Sequence, residues 1–156
     1  MHLVIALIGT LSGLLLLFRL WRKSRIEKLS VSQPQSFHAL RNPVEAVAVL
    51  ALATAKCKGD ISQEQEQVIL NLFGNEFNMS EEDAQYLFNS SACLLKNKSS
   101  MVEDVENIIH ASRSVFSQAQ IYSMISLMGL VSEIDGSMTE TQEQMLMKAQ
   151  HAFEEA

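Results

Sequence analysis

The hydrophobic and polar positions divide the chain into two parts that differ in pattern. Residues 3–18 contain no charged side chain, and Leu, Ile, Val and Ala make up most of them. At about 1.5 Å per residue, a helix over residues 3–20 would be roughly 27 Å long, close to the thickness of a bilayer's hydrocarbon core. The pattern therefore predicts a transmembrane anchor over residues 1–21, and the lipid bilayer is the first expected partner.

The basic residues near this apolar segment lie on its C-terminal side. They are Arg19, Arg22, Lys23, Arg25 and Lys28, and no Lys or Arg comes before the segment. An excess of positive charge favours the cytoplasm for the flank that carries it. A secretory signal peptide would carry its basic residues on the other flank. The sequence therefore predicts an uncleaved, single-pass signal anchor with a cytoplasmic C-terminal part.

The predicted anchor contains two glycines, Gly9 and Gly13, spaced four residues apart. This spacing lets two membrane helices approach closely, so that packing between them favours dimerisation. We therefore expect a homodimer that forms through the transmembrane helix.

The second part of the chain begins after a segment without regular pattern. Residues 22–41 are predicted to be a basic juxtamembrane segment followed by a polar tether, which holds Ser, Gln and Pro34 and little apolar content. From residue 42 onward, apolar residues recur with the 3.6-residue period of a helix. In the first predicted helix, a single buried face is expected from Val44, Val47, Ala48, Ala51 and Ala55.

Six candidate helix starts are marked by a cap residue followed three positions later by an acid or an amide. These caps are Asn42, Ser62, Ser80, Ser100, Ser117 and Thr139. No segment alternates apolar and polar residues as a strand with a hairpin turn would. The predicted fold class is all-α, with an N-terminal single transmembrane helix and then a compact bundle of about six short helices over residues 42–156.

Charge is distributed unequally between the two parts. Residues 1–28 carry five Lys or Arg and one Asp or Glu (net +4), whereas residues 29–156 carry seven Lys or Arg and seventeen Asp or Glu (net −10). Nucleic-acid binding needs a basic surface, so no nucleic acid is expected as a partner. Cys57 and Cys93 lack the spacing of a metal site and are expected to be buried free thiols.

A short motif occurs twice in the predicted bundle. Lys58-Gly59-Asp60-Ile61-Ser62 aligns with Asp135-Gly136-Ser137-Met138-Thr139, and the following residues 65–67 and 142–144 both read Gln-Glu-Gln. In each copy a helix ends, a Gly takes the turn, an apolar residue points inward and a Ser or Thr caps the next helix. A duplicated helix–turn–helix predicts a two-copy internal repeat with pseudo-twofold symmetry, in which the two turns lie close in space.

This repeat, in which an apolar helix is followed by Gly, an apolar residue and Ser or Thr, resembles the tellurite-resistance TerB-like domain. The strongest match is residues 134–139, Ile-Asp-Gly-Ser-Met-Thr, continuing to Glu143. The arrangement of anchor and domain also resembles the N-terminal part of DjlA, a family of membrane-anchored co-chaperones. The sequence contains no His-Pro-Asp signature, so we expect no J domain. The resemblance implies a bacterial inner-membrane protein linked to envelope or stress responses.

The resemblance also implies metal binding at an acidic surface. Asp135 and Glu143 fit the second turn, and Asp60 and Glu66 would supplement them at the first, because carboxylate oxygens suit Ca²⁺ or Mg²⁺. In the first turn, Lys58 stands where the resemblance leads us to expect an Asp, and a lysine there would repel a cation. The alternative is that these acids are solvated charges that favour helix N-termini. An EF-hand is excluded, since Val131 and Gln142 would occupy the first and last ligand positions.

Three functions remain open at this point. The first is a membrane-anchored interaction or scaffold module that binds a protein partner through an acidic helical face. The second is a divalent-metal sensor that uses the acids of the two turns. The third is a small membrane-bound enzyme of unknown type, although the four histidines are scattered and neither a nucleophile elbow nor a glycine-rich phosphate loop occurs. We therefore expect no catalytic residues and no enzymatic activity.

Overall fold

A computed structural model of the protein describes residues 36–96, 98 and 101–154. The predicted anchor over residues 1–21, with Gly9 and Gly13, lies outside these residues, as does most of the predicted segment 22–41. Within the described part, no helix is both long enough and apolar enough to cross a bilayer.

The described residues fold into six α-helices and contain no strand. The helices are α1 (Pro43–Lys56), α2 (Gln63–Glu76), α3 (Glu81–Leu95), α4 (Met101–His110), α5 (Gln118–Ser132) and α6 (Glu140–Glu154). Two short 3₁₀ turns, Phe37–Ala39 and Arg113–Val115, precede α1 and α5 respectively. The prediction of a compact all-α bundle of about six short helices is confirmed.

Each helix begins at the residue that follows its predicted cap, and most caps are formed as expected. Ser62 and Ser117 make complete capping boxes with Gln65 and Gln120, in which side chain and backbone satisfy each other's free groups. The Asn42 side chain accepts a hydrogen bond from Val44 N at 3.0 Å, one residue nearer than expected. These caps define where the apolar faces begin and so fix the register of each helix against the core.

The centre of the bundle is α1, which packs against α3, α4 and α5. All of its residues from 46 to 55 are buried, so the helix is covered on every side and not only on the single face that the periodicity predicts. Between Glu45 and Lys56 the helix carries no charge, and its many alanines let neighbouring helices approach closely. The remaining helices complete the bundle around it, with α2 on α3, α4 on α6 and α5 on α6.

The core extends beyond the N-terminal boundary predicted at residue 42. Phe37 and Leu40, which belong to the predicted tether, are buried among the core residues. The Lys98 ammonium lies over the Phe37 ring, 4.6 Å from its centre. The end of the predicted tether is therefore packed against the helices, next to α4.

Candidate functional site

The two copies of the internal repeat form two similar turns. In the first, Gly59 adopts φ +122° between α1 and α2, and in the second Gly136 adopts φ +107° between α5 and α6. This left-handed backbone is open to glycine at little cost and strained for other residues. Ser62 and Thr139 then accept hydrogen bonds from the backbone N–H of Gln65 and Gln142, at 3.2 and 3.3 Å.

Three hydrogen bonds connect the two turns to one another. Gln142 Nε2 donates to the Thr54 carbonyl at the end of α1, at 2.9 Å. Lys58 Nζ donates to the Ser132 carbonyl at the end of α5, at 2.8 Å. Gln65 Nε2 donates to Asp135 Oδ2. The two turns therefore lie side by side, and we call the surface formed by residues 58–66 and 135–143 the paired-turn surface.

The two halves of this surface are not equivalent. Gln142 is fully buried and reaches a backbone carbonyl, whereas its counterpart Gln65 reaches the exposed Asp135 carboxylate. Lys58, which corresponds to Asp135 in the repeat, places its ammonium at the C-terminal end of α5. The negative end of a helix dipole favours a cation there. Opposite charges at equivalent positions thus break the pseudo-twofold symmetry.

The four predicted metal ligands are distributed over the surface in different surroundings. Asp60, Asp135 and Glu143 are exposed, and Asp135 is engaged by Gln65. Glu66 is half-buried and accepts a hydrogen bond from Gln85 Nε2 of α3 at 3.0 Å, so it contacts α3. The structure brings the two turns together, as a shared ion site would require.

Binding of a divalent ion at this surface would depend on which metal-ligating side chains lie close together. Within the described part of the chain, no three His, Cys, Asp or Glu side chains come together as metal ligands. The Lys58 ammonium already supplies positive charge at the Ser132 carbonyl, at the end of the helix that leads into the second turn. Metal binding through Asp135, Glu143, Asp60 and Glu66 therefore stays a prediction.

The residues that join the two turns were not predicted from the sequence. Gln65 and Gln142 were expected only to cap their own helices, and Lys58 only to disturb a metal site. The available signal was the repeated Gln-Glu-Gln sequence at residues 65–67 and 142–144. A long amide at the third helical position can cap its own helix with the oxygen and reach a second turn with the nitrogen.

Two small cavities lie away from the paired-turn surface. One, of about 190 Å³, is lined by Phe37 and by the polar residues His38, Lys98, Asp104 and Asn107. Its amine and carboxylate are paired with each other, since Lys98 Nζ lies 3.9 Å from Asp104 Oδ2. A second cavity, of about 220 Å³, lies between the start of α1, the end of α2 and the start of α5. Both are smaller than the roughly 300–1,000 Å³ usual for small-molecule sites.

Comparison with known protein families assigns the helical bundle to one of them. Residues 44–154 match the family described as Tellurite resistance protein TerB, and this range covers nearly all of the six helices. Because the match extends over more than half of the sequence, the chain belongs to the TerB family. The resemblance inferred from the repeat is thereby confirmed at the level of the domain. No curated protein and no solved structure matches the chain.

Proposed function

We propose that this TerB-family chain is a membrane-anchored, cytoplasmic interaction module that recruits a basic protein partner through the paired-turn surface. It would serve as a scaffold in a bacterial envelope or stress response, and its role would be binding and not catalysis. The observation that carries the proposal is the charge of the paired-turn surface, because both turns contribute carboxylates to one side of the bundle.

The acids of this surface are accessible, and its cation is already engaged. Asp60, Glu64, Asp135, Glu140 and Glu143 are exposed. Lys58 is the only Lys or Arg within residues 58–66 and 135–143, and its ammonium is held at the Ser132 carbonyl. A concentration of one sign of charge steers an oppositely charged partner and raises the rate of association. A basic segment of a protein fits this surface best.

The surface is also held in one shape before any partner binds. Both turns are fixed by capped helices, and the three hydrogen bonds from Gln142, Lys58 and Gln65 join them. A preformed surface loses little conformational entropy on binding. The fixed positions of the carboxylates therefore favour binding of a specific partner over non-specific attraction of counter-ions.

The membrane location rests on the sequence before the described residues. An uncharged apolar segment at residues 3–18 followed by five basic residues is typical of an anchor with a cytoplasmic C-terminal part. This arrangement resembles that of the DjlA co-chaperones. A single-pass anchor in the bacterial inner membrane would keep the TerB domain close to membrane-bound partners. Extraction of membranes at alkaline pH tests this, since release of the intact chain would refute the anchor.

Photo-crosslinking in intact membranes tests the partner proposal. A photoreactive residue at Gln63, exposed at the start of α2, would report contacts at the paired-turn surface. The same residue at Asn89, exposed on α3, is the matched control. We expect a protein adduct from position 63 that declines as salt is raised, because screening weakens attraction between exposed charges. Identical adducts from both positions, or no dependence on salt, would contradict the proposal.

A second function, a divalent-ion sensor, is favoured by the adjacency of the two turns. Ion binding there would have to displace Lys58 from the Ser132 carbonyl and Gln65 from Asp135. Calorimetric titration of the full chain in detergent with Ca²⁺ and Mg²⁺ addresses this, with Asp135→Ala as a control. Binding that Asp135→Ala abolishes would support the sensor, and binding only by a Lys58→Asp variant would assign its absence to the lysine.

A further inference from the structure

Helix α5 differs from the other outer helices because it carries no charge. No charged residue occurs between Arg113 and Glu133. Its inner side, with Met124, Leu127 and Met128, is buried in the core. Its outer side is formed by Ala119, Tyr122, Ser126 and Leu130, which recur at helical spacing and are all exposed. We call these four residues the α5 face.

The α5 face exposes large apolar side chains. Tyr122 is 78% exposed and Leu130 is 51% exposed, and they lie two helical turns apart with Ser126 between them. A Cβ added at the neighbouring Gly129 would meet nothing within 4 Å, so the space beside the face is open. Exposed apolar residues grouped on one face commonly mark a surface that another molecule covers.

Charge identifies the molecule that fits this face. Residues 29–156 carry a net charge of −10. The helices α2, α3, α4 and α6 each expose at least two carboxylates, whereas the α5 face exposes none. Two copies of an acidic domain repel each other least where neither presents charge. A basic partner would be drawn to the acidic helices, and an anionic bilayer surface would repel this domain.

We propose that two copies of this chain pack together through the α5 face, antiparallel and about a twofold axis at Ser126. With that register, Tyr122 of each copy lies against Leu130 of the other, as a twofold contact requires. Ser126 meets its own counterpart and, being small, lets the helices approach closely. Glu133, just after α5, lies near the start of the other copy's α5, where the helix dipole favours a carboxylate.

The contact between two α5 faces is small. A stable interface covers about 800 Å² on each partner, which one helix face of fifteen residues does not reach. The pair is therefore weak between free molecules and forms when two copies are held close together, because tethering raises their effective concentration. The anchor proposed above would provide this tether. The pairing also predicts association of the purified full chain at high concentration, which does not depend on the anchor.

Disulfide trapping of the full chain tests the pairing. The parent variant is Cys93→Ser, which removes the exposed native thiol. Ser126→Cys in this background places two thiols at the twofold axis, within the short Cβ separation that a disulfide needs. Ser137→Cys, an exposed serine outside the face, is the matched control. We expect rapid oxidation to a covalent dimer for position 126 and at least about tenfold less for position 137.

Charge substitutions test the register. Tyr122→Lys or Leu130→Glu alone should reduce trapping at position 126 about tenfold, because each leaves an unpaired charge in the contact. The double variant should regain trapping, since each lysine then faces a glutamate of the other copy. Residues eight apart on one helix are about 12 Å apart along its axis and cannot pair within a chain. Circular dichroism of each variant is the control for an intact fold.

Several outcomes would overturn the pairing. These are monomer only at position 126, equal trapping at positions 126 and 137, or adducts of position 126 with a different protein. Failure of the double variant to recover would overturn the antiparallel register. If the chain is released from membranes at alkaline pH yet the concentrated protein still traps at position 126, the anchor fails and the pairing stands.

Discussion

Lys58 and Asp135 occupy equivalent positions in the internal repeat and carry opposite charges. The lysine donates to the end of α5 while the aspartate accepts from Gln65 of α2. The lysine at position 58 thus adds a hydrogen bond to the end of α5 that an aspartate in its place could not donate.

Glu45 is the residue at which the sign of a pH effect can be tested. It lies half-buried in the first turn of α1, and burial raises the pKa of its carboxyl above the ordinary value of 4.5. The helix dipole opposes this shift, so desolvation is the stronger effect. The folded chain then binds the proton more tightly than the unfolded chain. The protonated Glu45 carboxyl therefore contributes its full stabilisation of the fold below pH 4.5. This contribution is lost as the pH rises through the raised pKa.

The Glu45→Gln variant removes this titration while keeping the shape of the side chain. We expect its thermal midpoint at pH 7 to rise by roughly 1–2 °C, which corresponds to about 0.5 kcal/mol once solvent screening is allowed for. Near pH 4 the two proteins should unfold at the same temperature. Thermal unfolding followed by circular dichroism at both pH values measures this. Glu82→Gln, at an exposed position in α3, is the control and should show no such gain.

The two cysteines should differ in reactivity. Cys93 is exposed, which corrects the expectation that both thiols are buried, whereas Cys57 is half-buried. The Cys57 Sγ lies 3.3 Å from the Ala53 carbonyl and 3.1 Å from Met145 Sδ, and burial raises the pKa of its thiol. Less thiolate is therefore present at a given pH. We expect iodoacetamide at pH 8 to modify Cys93 at least about tenfold faster than Cys57, as measured by peptide mass spectrometry. Equal rates would contradict the half-buried position of Cys57.

At the scale of the elements, helix boundaries were predictable because the signals that set them are local. A cap and its partner lie three residues apart, so the sequence contains the whole interaction. All six helices accordingly start where the caps indicate. Which helix lies at the centre was not predictable in the same way, because burial on every side depends on which helices surround α1. The absence of charge between Glu45 and Lys56 was the one available indication.

The two glutamines that join the turns should contribute unequally to the stability of the bundle. Gln142 is buried and its amide joins Thr139 N and the Thr54 carbonyl at 3.0 and 2.9 Å. Gln142→Ala should lower the free energy of unfolding by about 2–3 kcal/mol, because buried polar groups lose their partners. Gln65→Ala should cost only about 1 kcal/mol, since the exposed Asp135 can bind water instead.

Urea unfolding of the full chain measures both changes. Gln144→Ala, an exposed glutamine on the same helix as Gln142, should change the free energy of unfolding by less than about 0.5 kcal/mol. Equal losses at positions 65 and 142 would show that the two turns are more symmetric than their contacts indicate.

At the scale of the whole molecule, the sequence predicted the pairing of the turns from the repeat but not its chemistry. A duplicated helix–turn–helix predicts that its two turns lie close together. This prediction does not depend on the side chains of the turns. Whether the acids converge on an ion or face outward depends on rotamers and on neighbours such as Gln85, which engages Glu66 from α3. Such contacts join residues distant in the sequence, and no local pattern encodes them.

If the carboxylates of the paired-turn surface recruit a protein partner, reversing their charge should abolish its binding. Glu64→Lys with Glu140→Lys reverses two exposed acids of this surface, and Glu103→Lys with Glu106→Lys reverses two exposed acids of α4. Both variants carry the same net charge, so only the position of the change differs. With the photoreactive residue at position 63 in intact membranes, we expect the partner adduct to disappear in the first variant and to persist in the second. Equal loss in both, or persistence in both, would contradict the account.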